Sequence, residues 1–141
     1  MKIYTQILIM RKQYDHAEKL ITQAKKISID SGNYTTQALL YAAKGKKDDA
    51  LRSLKETVFK ENRYYGVAIF SLLGLKDDAL KLLDSKPIGK PSMAYFGSDY
   101  DDMLNNPFFD NLRDSGQFKV ALMEAKGIYE DNLAKYGKIE R

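Results

Sequence analysis

Apolar positions recur three and four residues apart along much of this chain, the spacing of helices that bury one face. Ala17, Leu20, Ile21, Ala24 and Ile27 form one such stripe. Phe118, Leu122, Ala125, Tyr129 and Leu133 form another, predicting a long helix from Gln117 to Tyr136. The opening run Met1–Met10 is apolar but interrupted by Thr5 and Gln6, followed by Arg11-Lys12, and without a small-residue cleavage site. It reads as neither signal peptide nor membrane span, but as an amphipathic helix that starts without a capping residue. Ile3, Ile7 and Met10 line one edge of it, and Leu8 points toward the next helix. Uncapped amides and an uncovered apolar edge imply either a preceding repeat in a longer parent or a homodimer through this N-terminal helix.

Punctuation between the stripes repeats. Gly45-Lys46-Lys47-Asp48-Asp49-Ala50-Leu51 returns as Gly74-Leu75-Lys76-Asp77-Asp78-Ala79-Leu80, 29 residues later. Each copy follows an apolar segment, Ala38–Lys44 or Val67–Leu73. A looser copy runs from Lys12 to Leu20, with Ala17 placed 33 residues before Ala50. The physical reading is a helix, a tight turn and a second helix. Glycine supplies a left-handed helix terminus, and the paired aspartates lie where the next helix's amides favour negative charge.

This pattern resembles the tetratricopeptide repeat (TPR). In the second repeat Tyr34, Ala38, Tyr41, Gly45, Ala50 and Leu54 take consensus large or small positions; Leu8, Tyr14, Ala17, Ile21 and Ala24 do so in the first. The third matches on Phe70, Gly74, Ala79 and Leu83, while Val67 stands where a small residue is usual. The chain lacks tryptophan, a leucine-glycine pair in its first helices and a proline closing each unit.

The resemblance implies an all-α solenoid of three antiparallel helix pairs over residues 1–30, 31–60 and 61–86, as in the C-terminal TPR region of a larger bacterial protein. It also implies a concave groove holding a peptide or partner helix, faced by Lys2, Gln6 and Ile9, then Thr35, Thr36 and Leu39, then Tyr64, Tyr65 and Ala68. Lys2 matches the family's carboxylate clamp, but Gln6, Thr36, Glu61 and Tyr65 replace its other members. Tyr64-Tyr65 is a candidate aromatic anchor.

Residues 87–141 break the repeat with the Pro- and Gly-rich linker Lys86–Ser92. The later pattern Pro107, Phe109, Asp110, Leu112, Arg113 and Phe118 resembles the segment that closes many bacterial TPR regions. Asn106 caps and Pro107 pre-sets a short helix, Gly116 stops it, and the long last helix closes the same domain. Phe109 and Leu112, three apart, are expected on the open apolar face around Phe70, Leu73 and Leu83.

Composition narrows the chemistry. The 141 residues include no cysteine, one histidine and no tryptophan, which removes disulfides, thiolate sites and most histidine-based constellations. The net charge is +4, with 12 Lys and Arg against 7 Asp and Glu in residues 1–62, and 11 against 12 in residues 63–141. That basic half supports a second reading, a nucleic-acid-associated helical repeat, although no basic run interleaves with aromatics. Asp99, Asp101 and Asp102 could hold a hard cation or hide a hydrolase, but the calcium-hand glycine and distal glutamate are missing. A solvated helix start accounts for them. His16 has no partner for catalysis, and no phosphate-binding loop occurs around Gly45-Lys46 or Gly89-Lys90. The sequence therefore predicts a non-catalytic cytoplasmic interaction module, without cofactor or metal, that binds a protein or peptide.

Overall fold

A computed structural model describes residues 2–27, 31–55, 63–84 and 98–136. All regular structure among them is helical. Three hairpins come first: α1 (Lys2–Met10) with α2 (Tyr14–Ile27), α3 (Ser31–Ala43) with α4 (Lys47–Lys55), and α5 (Arg63–Leu72) with α6 (Lys76–Asp84). Then follow α7 (Ser98–Asn105), a 3₁₀ helix (Pro107–Leu112) and α8 (Gly116–Tyr136).

The three hairpin turns share one geometry. Gly45 and Gly74 have φ of 75° and 73°, and Lys12 occupies the same left-handed region at 59°. In each turn the next amide reaches back to close the first helix: Gln13 to Leu8, Lys46 to Tyr41 and Leu75 to Phe70, all at 2.8–2.9 Å. The second helices carry acidic residues in their first turns: Asp15, Asp48 with Asp49, and Asp77 with Asp78. Their side of the hairpin is closed by Ala17, Ala50 and Ala79, each completely buried. Absence of a larger side chain is what lets the two helices approach.

Hairpins stack through their first helices, α1 on α3 and α3 on α5, with α2 also against α3. The 3₁₀ helix takes the next place along this row against α5, while α8 lies against α6 and α7. Asn106 caps the 3₁₀ helix, its Oδ1 accepting from the Phe108 amide at 2.9 Å. Phe109 and Leu112 are completely buried, and Phe109 stacks on Phe118 at 5.8 Å between ring centres. The expected short helix is of the 3₁₀ type, and Gly116 opens α8 instead of stopping its predecessor. The turn Arg113-Asp114 separates the two, because Pro107 through Leu112 already completes the i→i+3 run. The linker Lys86–Ser92 lies outside the described residues.

Candidate functional site

The nine residues expected to face a groove divide by burial. Ile9, Leu39 and Ala68 are 2%, 0% and 0% exposed, so they belong to the core and offer nothing to a partner. Thr35 and Thr36 are also buried, and both already hold interactions. Packing among α1, α3 and α5 accounts for the burial of these five. Gln6 and Tyr65 are half-buried. Lys2 lies in α1 and Tyr64 in α5, but both side chains, like Glu61 entirely, are outside the described residues. Asp101 is exposed on α7, and the side chains of Asp99 and Asp102 are likewise outside the description. Among the described residues no group of three or more acidic, histidine or cysteine side chains is placed to hold a metal ion.

A different feature emerges where the first hairpin meets the second. A cleft of about 400 Å³ runs between α2 and α3. From α2 come Glu18, Ile21, Thr22, Lys25 and Lys26; from α3 come Gln37, Leu40 and Tyr41. Ile21 and Leu40 are buried and form an apolar floor. Tyr34, Gln37 and Tyr41 of α3, and Lys44 just beyond its end, follow helical spacing and are all half-buried.

Polar contacts knit the walls together. Lys25 Nζ donates to Gln37 Oε1 at 3.1 Å and sits 4.6 Å from the centre of the Tyr34 ring. Gln37 Nε2 donates onward to the Tyr41 hydroxyl at 3.3 Å. At the far end Lys44 Nζ approaches Glu18 Oε2 at 3.6 Å, and the Thr22 hydroxyl donates to the Glu18 carbonyl at 2.9 Å. The Tyr14 hydroxyl donates to the Ala43 carbonyl at 3.4 Å, a further tie between α2 and the end of α3. Sequence reasoning missed this arrangement. Lys25 and Lys26 lie in the last turn of α2, an ordinary place for cations, and the available signal was the helical spacing of Tyr34, Gln37, Tyr41 and Lys44.

Two apolar surfaces also remain open. Ile3 and Ile7 of the expected edge are exposed on α1, whereas Met10 is half-buried against the core; Tyr4 is exposed too, set edge-on to His16 at 6.0 Å. Val120, Met123, Leu133 and Tyr136 are exposed on α8. No described helix is long and apolar enough to cross a membrane. No protein-family model matches this chain, and neither does a curated protein or a solved structure.

Proposed function

We propose that this chain is a non-catalytic protein-interaction module built as a TPR-like solenoid. The observation that carries the reading is one turn geometry used three times, at Lys12, Gly45 and Gly74, in hairpins that stack through their first helices. Such stacking creates extended surfaces between repeats, and these are where solenoids bind partners. The surface offered to a partner is then the cleft between α2 and α3, not the first-helix positions that the core consumes. A peptide or partner helix is the ligand, and a second copy joined through α1 is a further candidate partner.

An array of peptides tiling a bacterial proteome, probed with the purified chain, tests the reading. The expected result is saturable binding by peptides that share a side-chain pattern. No such peptide, together with oligonucleotide binding that falls steeply with salt, would replace this reading with the nucleic-acid one.

A further inference from the structure

We propose that the α2–α3 cleft docks an acidic peptide segment, a partner carboxylate meeting Lys25 and Tyr41 while an adjoining aliphatic side chain rests on Ile21 and Leu40. The inference rests on the interaction-module reading and names its ligand class. Among the described residues Lys25 Nζ is met at the cleft by neutral groups, the Gln37 carbonyl oxygen and the Tyr34 ring. Neither cancels its charge. Lys44, by contrast, is met by Glu18. Lys26 is exposed on the same rim and forms no ion pair with a described residue.

Gln37 sets the donors. Its amide accepts from Lys25 and donates to the Tyr41 oxygen, which leaves the Tyr41 proton without an acceptor among the described residues. An ammonium and a hydroxyl proton, joined through one amide, therefore converge on the cleft. A carboxylate has two acceptor oxygens and suits that pair. Because Gln37 and Tyr34 already hold the lysine, docking orders few new rotamers. A polynucleotide fits worse: Glu18 adds a negative charge to the wall, and Lys25 covers the Tyr34 face that a base would stack upon.

The test is a nuclear magnetic resonance titration of the full chain with the end-blocked peptide Leu-Glu-Leu-Asp-Leu and its uncharged counterpart Leu-Gln-Leu-Asn-Leu. The acidic peptide is expected to produce saturable shifts at the amides of residues 21–26 and 37–41, binding about tenfold more tightly than the uncharged one and weakening with salt. Lys25→Met should lower its affinity about tenfold and Tyr41→Phe about threefold, the scale of a charged and a neutral hydrogen bond. Glu18→Gln should raise it. Unchanged melting temperatures for these variants separate lost binding from lost folding. Equal binding of the two peptides, shifts confined to other surfaces, no saturable shift, or stronger shifts at the same amides from oligothymidylate would each overturn the cleft proposal. A peptide array with clear binders that ignore Lys25→Met overturns the cleft alone. An array without binders removes the interaction reading as well.

Discussion

At single residues, the three left-handed turn positions are a matched set with different side chains. A Cβ at Gly45 or Gly74 would meet no atom within 4 Å, so replacing either with alanine isolates the backbone term. Each substitution should destabilise the chain by about 1 kcal/mol, measured by urea unfolding. Lys12 carries that strain already, at φ 59°. Lys12→Gly should therefore stabilise, by about 0.5 kcal/mol after the added freedom of the unfolded chain is subtracted. A second residue-scale case is Asp114. Lys76 donates to its Oδ1 at 3.0 Å and, through that bond and its charge, holds the carboxyl below the ordinary carboxylate range. The folded-state value is depressed, so the tie is intact above the usual carboxylate range and is lost as pH falls through the lowered value. A carboxyl titration should give Asp114 a low midpoint that moves back up in Lys76→Met.

For whole elements, the short 3₁₀ helix carries more than its six residues suggest. It seats Phe109 against Phe118, and Asn111 Nδ2 donates to the Ser71 carbonyl of α5 at 2.7 Å. Truncating Phe109 to alanine should cost about 3–5 kcal/mol, because a completely buried ring is lost and its cavity has little to refill it. Arg113 does more than pair with Asp110 at 2.9 Å: its Nη atoms donate to the carbonyls of Met103 at 2.9 Å and Asn106 at 2.8 Å. It thereby closes the C-terminal turn of α7, whose Met103 is buried. Arg113→Met should raise amide exchange across α7 first, before the hairpins respond. Between paired helices the contact is set by alanine, so Ala50→Leu or Ala79→Leu should destabilise by about 1–3 kcal/mol through overpacking. Melting curves equal to those of the parent chain would refute the hairpin register.

Across the molecule, the proposed solenoid makes stability a sum of neighbouring contacts along a row of helices, and the row has unequal members. α3 lies between α1 and α5, and α5 lies between α3 and the 3₁₀ helix, whereas α1 has a first-helix neighbour on one side only among the described residues. Amide protection should then be greatest in α3 and α5 and least in α1. Uniform protection from α1 to α8 would mean one cooperative block instead.

Local chemistry was enough to determine the hairpins. Helical periodicity, a glycine in the left-handed terminus at Gly45 and Gly74, and aspartates in the following first turns all act within a few residues, so they are visible in a linear chain. The same holds for the Asn106 cap and for the uncovered edge of Ile3 and Ile7. How closely α1, α3 and α5 approach was decided by packing between segments some thirty residues apart, and that approach buried Ile9, Leu39 and Ala68 where a groove had been expected. The cleft belongs to the same class. Lys25 and Gln37 lie twelve residues apart on different helices, and only the stacking of one hairpin on the next brings an ammonium, an amide and a phenol into one hydrogen-bonded line.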